Sequence, residues 1–224
     1  MKLYAKPDSY QTKKILIAAQ YAGLDVETPS SAAGAATTGK IPVLETSQGC
    51  VFSSVAIARY VSRVSRVAGL YGQNLLEGGA IDSWVEFCTH ELEVPLCVWV
   101  LPIQGLCAEV PEAAKLAKED VKKALGILDK HLLLNTFMVG HQITLADISI
   151  CCALVDGLGL VLDAEFRKPY SNLMRWFDLC ILQPEFANIL GKVELCSGAS
   201  ATPATSIGSA AKKEPKQAAP KKEA

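Results

Sequence analysis

Ser53 and Ser54 stand side by side at the head of a stretch, Ser54 to Val64, in which Val55, Ile57, Ala58 and Val61 recur at helical spacing. Hydroxyls and unpaired N–H groups at a helix start make a carboxylate site, because the first turn leaves donors unsatisfied and its field is positive. Upstream, Pro42 sits in GKIPVLE, where a strand wants a donor that proline lacks. An Ile41–Pro42 bond in a tight bend can be cis, leaving the N–H and C=O of Ile41 to pair with an extended peptide by strand addition. A third hydroxyl, Ser9, begins the first helix after the first strand, where it can donate to a thiolate with help from the same field. Carboxylate site, pairing edge and thiol donor together fit a small thiol tripeptide.

These residues need a small mixed sheet with helices packed on it to hold them. Lys2–Tyr4 reads as a strand, and Gln11–Tyr21 as a helix with Ile15, Ala18, Ala19 and Ala22 inward, cap candidates Asp8 and Ser9 ahead of it and Gly23 behind. Leu24–Glu27 reads as a second strand, and Ile41–Glu45 with Cys50–Phe52 as a hairpin across Thr46–Gly49, giving a βαβ then ββα order. Pro29–Gly39 is small, polar and aperiodic, a loop. Gly34, Gly39 and Lys40 match the start of a phosphate-binding loop, but a strand follows where that motif needs a Ser or Thr and a helix, so the nucleotide reading fails.

After a glycine-containing link at Gly69–Asn74 nothing strand-like alternates. Ile81–Val100 reads as a long helix bent at Pro95, Pro111–Leu133 as an amphipathic helix on Ala117, Val121, Ala124, Leu128 and Leu132, and Asn172–Leu182 and Pro184–Leu190 as shorter helices. Leu145–Leu162 is the most apolar run, yet it carries Asp147 and Asp156 and is broken by Gly157 and Gly159, so it reads as a buried helix and not a membrane span. Thr144 and Asp147 form a capping box at its head, stapled by Ile143 and Ile148, a structural role worth about 1 kcal/mol.

Composition narrows the functional classes. The chain has 224 residues, half of them hydrophobic, and a formal charge of −1, which gives no overall reason to expect nucleic acid. MKLYAKPDSY has no apolar segment of a secretory signal, so the eight cysteines read as reduced thiols used as small buried hydrophobes. Neither they nor His90, His131 and His141 show zinc-ligand spacing. From Gly198 the chain turns to Ala, Ser, Thr, Pro and Lys, a composition that cannot bury enough apolar area to order itself; we read a linker, and the chain as the amino-terminal piece of something longer.

The βαβ–ββα unit, Ile-Pro-Val-Leu, the Ser-x-Ala-Ile helix start and the all-helical second half with its Thr-x-x-Asp box resemble the glutathione S-transferase fold over residues 1 to about 196. The resemblance implies an α/β thioredoxin-like domain over 1–66, an all-α domain over 75–196 and a disordered Lys/Pro/Ala-rich linker over 197–224. It implies Ile41, Pro42, Ser53 and Ser54 as glutathione-binding and Ser9 in the place of a catalytic serine. The family pattern has Glu where this chain has Ser53, which removes the partner of the γ-glutamyl ammonium, a charge-assisted bond of about 1.5–3 kcal/mol.

Within that fold, LIAAQYAG (16–23), MVGHQITLADI (138–148) and NLMRWFDLCILQPEFANILGKVELC (172–196), followed by the Lys/Pro/Ala-rich segment, resemble the gamma-subunit family of the eukaryotic translation elongation factor 1 complex. That resemblance implies a cytoplasmic scaffold anchoring the exchange (beta) subunit and, through it, the alpha subunit, with a homodimer open and no cofactor required. The alternative is a thiol S-transferase that joins glutathione, or a related glutathionyl thiol, to electrophiles.

Overall fold

The computed structural model describes residues 1–29 and 40–197. Most of the expected loop at 29–39, the glycines of the phosphate-loop match and the tail from 198 lie outside them. Leu3, between the more polar Lys2 and Tyr4, turns into the core and fixes the register of the first strand, β1 (Lys2–Tyr4). β1 pairs antiparallel with β2 (Val43–Thr46), Leu3 against Leu44, and β2 pairs with β3 (Gly49–Phe52) from Val43↔Phe52 to Thr46↔Gly49. Two strand expectations need correction. Leu24–Glu27 supplies only a parallel bridge, Lys2↔Glu27, in which Leu3 N–H donates to Glu27 O at 2.8 Å and Glu27 N–H to Met1 O at 2.9 Å. Asp25, Glu27 and Thr28 are exposed there, and Pro29 has no donor with which to continue a ladder. The hairpin begins at Val43 and not at Ile41, since Pro42 likewise has nothing to donate.

Helix α1 (Tyr10–Tyr21) is capped by Ser9 and packs on α2 (Ser54–Val64), on α6 (Leu145–Leu160) and on α9 (Pro184–Leu190). It is the element both domains share. Its inward stripe includes Lys14, which has no exposed surface and whose ammonium lies 3.0 Å from Glu93 Oε1. Arg59 on α2 adds a second link, donating from Nε to Asp82 Oδ1 at 2.8 Å, and Tyr71 also donates its hydroxyl to that oxygen.

The expected helix over 81–100 is longer and is interrupted differently. α3 (Leu75–Phe87) starts early, on an Asn74 cap whose side chain accepts from Glu77 N–H at 2.9 Å; its signal is masked by Gly78 and Gly79 and by the exposed Leu75 and Leu76. A widened, π-type turn occupies Cys88–Glu93 before α4 (Val94–Ile103). Pro95 has no N–H for an intrahelical bond, and the extra residue in the preceding turn absorbs that gap. Glu93 at the end of the wide turn is thereby buried against α1.

α5 (Pro111–Leu132) buries Ala117, Val121, Ala124, Leu128 and Leu132. α6 is buried around most of its circumference, and Gly157 lets it approach α4 closely: a Cβ there would meet Leu96 Cδ2 at 2.9 Å. α7 (Ala164–Arg167), α8 (Ser171–Ile181) and α9 complete the second domain. Among the described residues no helix is long and apolar enough to cross a membrane.

The capping box at α6 closes chiefly through its carboxylate. Asp147 Oδ2 accepts from Thr144 N–H at 3.0 Å and from the Thr144 hydroxyl at 2.8 Å, while Oδ1 accepts from Met138 N–H and Trp176 Nε1–H, both at 2.9 Å. One fully buried carboxylate thus ties the 138–144 segment, α6 and α8 together. Burial pushes its pKa up, and these donors hold it back.

The cysteines divide. Cys88, Cys151, Cys152 and Cys180 are buried free thiols with pKa values pushed up by burial, Cys152 to about 12. Cys50 and Cys107 are exposed, so the reading of all eight as buried hydrophobes is corrected: strand β3 and the loop after α4 offer those two no covering element.

Two stability predictions follow from these buried groups. Asp147→Asn replaces Oδ1 or Oδ2 with an NH₂ that faces donors, and should lower unfolding free energy by about 3 kcal/mol in urea titrations; a loss below about 1 kcal/mol would show that the carboxylate is not the tie described. Lys14→Met should cost about 3–5 kcal/mol by stranding Glu93, and adding Glu93→Leu should recover most of it, since an apolar pair pays no charge burial. Equal or additive losses in the double variant would contradict a coupled pair.

Candidate functional site

The head of α2 is built by a backbone that a side chain rarely adopts. Ser53 has φ 74 and ψ 129, the one positive φ at a non-glycine among the described residues. It brings the chain out of β3 into the helix while Ser53 O accepts from Ile57 N–H at 2.9 Å. The Ser53 side chain makes no capping bond, and no acidic residue sits in the first turn, so the positive end of the helix is uncompensated. Ser54 is buried and Ser53 exposed.

These two serines line a cavity of about 520 Å³ with Gln11, Lys40, Ile41, Pro42 and Phe52. The Ile41–Pro42 peptide is cis, and Ile41 is exposed and precedes the strand ladder. Lys40 and the helix end are positive, and none of the lining residues is acidic. The cavity is therefore suited to a carboxylate and holds no acidic partner for an ammonium.

Ser9 is elsewhere. It lines a second cavity, about 260 Å³, between the head of α1, α4 and α6, together with Tyr10, Glu93, Cys97 and Asp156. Gln11 links the two cavities, lining the first and donating from Nε2 to the Tyr10 hydroxyl at 3.4 Å. The Ser9 hydroxyl is engaged twice: it accepts from Thr12 N–H at 3.2 Å and lies 2.9 Å from Thr12 Oγ1. Thr12 gives its own hydroxyl proton to Lys6 O at 2.7 Å, so Ser9 must be the donor in the Ser9–Thr12 pair. A thiolate would have to take that proton from the helix cap.

The structure thus brings Ile41, Pro42, Ser53 and Ser54 together, sets Ser9 on the adjoining cavity, and leaves Thr144 and Asp147 in the core. Sequence reasoning missed Gln11, Lys40 and Phe52 in the first cavity and Tyr10, Glu93 and Cys97 in the second. Lys14 inside the apolar stripe of α1 was a legible signal, since a lysine there demands a buried acid. Tyr10 donates to Glu93 Oε2 at 3.2 Å, and burial and that carboxylate push its phenol well up, so it stays protonated. Burial also pushes the Cys97 thiol up, away from the thiolate form.

Residues 1–63 match the family model described as the glutathione S-transferase N-terminal domain, and residues 87–184 the model of its C-terminal domain. The chain is 39% identical to elongation factor 1-gamma-A of Xenopus laevis, over 87% of this chain and 47% of that one. It is 37% identical to elongation factor 1-gamma of Mus musculus, over 99% and 52%. The chain spans about half the length of these curated relatives. Among solved structures, the glutathione S-transferase-like domain of elongation factor 1-gamma from Saccharomyces cerevisiae superposes with a TM-score of 0.80 at 20% identity, covering 90% of this chain and 97% of that one. Glutathione transferase F2 from Populus trichocarpa gives 0.72 at 20% identity, covering 84% and 96%. The chain belongs to the glutathione S-transferase family, and the elongation factor 1-gamma proteins are among its relatives.

Proposed function

We propose that this chain is a scaffold in the guanine-nucleotide exchange assembly of translation elongation factor 1, holding the beta subunit and through it the alpha subunit. The observation that carries the reading is its 36–39% identity to elongation factor 1-gamma proteins across nearly its whole length. The site geometry supports it. A transferase needs a hydroxyl free to stabilise a thiolate and a carboxylate for the γ-glutamyl ammonium, whereas Ser9 is occupied as a cap and the cavity at Ser53 has no acid. A cytoplasmic location is part of the same reading.

A second reading has its own observation. The cavity lined by Ile41, Pro42, Ser53 and Ser54, with Lys40 beside an uncompensated helix end, offers a carboxylate site, and we propose glutathione or a related glutathionyl thiol as its ligand. Such binding adds to the scaffold role and does not replace it.

The 224-residue chain should co-purify with the beta subunit when the two are co-expressed, and failure to retain any elongation-factor subunit would sink the scaffold reading. Retention on immobilised glutathione, with turnover of an electrophilic aryl substrate that Ser9→Ala abolishes, would establish the thiol reading; neither at millimolar thiol would end it. A cap role alone makes Ser9→Ala cost about 1 kcal/mol of stability and leave turnover unchanged.

A further inference from the structure

One strip of α5 carries positive charge that the fold leaves unmatched. Lys115, Lys118 and Lys122 recur at i, i+3 and i+7, so they stand on one exposed side of the helix. Beside them lies a half-buried aromatic cluster from α4 and the 164–170 segment: the ring centroids of Trp99 and Phe166 are 5.4 Å apart, and those of Phe166 and Tyr170 6.2 Å. Lys118 Nζ stands 5.2 Å from the centroid of Trp99 and Lys122 Nζ 5.6 Å from that of Phe166, while the Tyr170 hydroxyl donates to Lys122 O at 3.3 Å. Arg167, next to Phe166 on α7, has its Nη1 buried without an acceptor. The neighbouring acids are engaged elsewhere. α4 has none, Glu112 sits at the positive end of α5, and Asp120 holds Lys123, on which exposed Glu119 also acts. Asp129 accepts from Asn172 and Leu173 N–H, Asp163 caps α7, and Glu165 lies 3.9 Å from Lys168. Among the described residues no carboxylate pairs with Lys115, Lys118, Lys122 or Arg167.

We propose that this strip is a docking surface for an acidic segment of a partner protein, a short run of aspartates or glutamates laid along Lys115, Lys118 and Lys122. The rings hold two of the three ammonium groups in place, which lowers the ordering cost that long lysines otherwise incur on pairing. Seven residues of helix rise about 10 Å, which matches about three residues of extended chain, so a compact acidic run meets every lysine. A nucleic acid fits the face less well. Single strands bind by stacking bases on free rings, whereas these rings are half-buried with lysines over two of them, and the chain's formal charge of −1 supplies no wider positive field. The inference does not rest on the scaffold or thiol reading: the charges define the face, and it is made by α4, α5 and α7 without Ile41, Pro42, Ser53 or Ser54.

The test titrates the 224-residue chain, by fluorescence anisotropy at about 50 mM salt, with three labelled probes: hexaglutamate, hexaglutamine and hexauridylate. Hexaglutamate should bind about tenfold more tightly than either of the others, and its affinity should fall about tenfold when salt is raised to about 200 mM. Lys118→Glu with Lys122→Glu should abolish the preference, and Lys118→Arg with Lys122→Arg should keep it. Lys130→Glu with Lys192→Glu makes the same change of net charge outside the strip and should leave the affinity within about twofold. Equal binding of the two peptides, no binding of hexaglutamate at millimolar concentration, a preference that survives the reversal, an equal loss in the distant pair, or tighter binding of hexauridylate would each overturn the proposal. Far-ultraviolet dichroism verifies folding. Lys115→Glu alone, which disturbs no ring contact, should weaken hexaglutamate binding about threefold and decides the matter if the double reversal is unstable.

Discussion

The two domains are joined over α1 by a lysine that has no exposed surface. Lys14 is held there by Glu93, which lies at the end of the wide turn that the helix from the second domain takes before Pro95. A buried charge pair adds little net stability compared with an apolar pair, but either member alone is costly, so the pair penalises every packing of the domains that separates them. The consequence extends to the second cavity. Ser9 and Tyr10 at the head of α1, Cys97 on α4 and Asp156 on α6 share a cavity because this seam sets where α1 lies on the second domain.

Much of the architecture was legible because local signals agreed. Ser54–Val64 and Pro184–Leu190 appear with the bounds that their apolar spacing and Pro start imply. The carboxylate of the box at Thr144 and Asp147 was legible as a cap; its further bonds to Met138 N–H and Trp176 were not, because they depend on how the segment before the box and α8 fold over it. Leu24–Glu27 failed as a strand because four residues of β-like composition do not say whether a partner edge accepts them. The start of α3 was hidden for the opposite reason: its stability comes from the Asn74–Glu77 cap and from tertiary packing, while its first residues expose leucines and include glycines.

The candidate site shows the same division. Spacing identified Ile41, Pro42, Ser53 and Ser54, which are near one another in sequence and line one cavity. It could not reveal that Ser9 belongs to the neighbouring cavity, or that its hydroxyl proton is committed to Thr12, since that follows from Thr12 donating to Lys6 O. Ser53 carries the clearest functional information. The backbone at this position has the unusual conformation that starts α2, while the side chain supplies no charge, so the cavity has the helix end for a carboxylate and no acid for an ammonium.

On the scaffold reading proposed above, the protein's surface, and not its pocket, does the work. The most direct measurement is the affinity of the beta subunit for this chain with the first cavity open and with it blocked by Ser54→Trp, followed by analytical ultracentrifugation. The account predicts a stable complex whose affinity is unchanged by blocking the cavity. Absence of a complex with the open chain, or loss of the complex when the cavity is filled in a variant that remains folded, would contradict it.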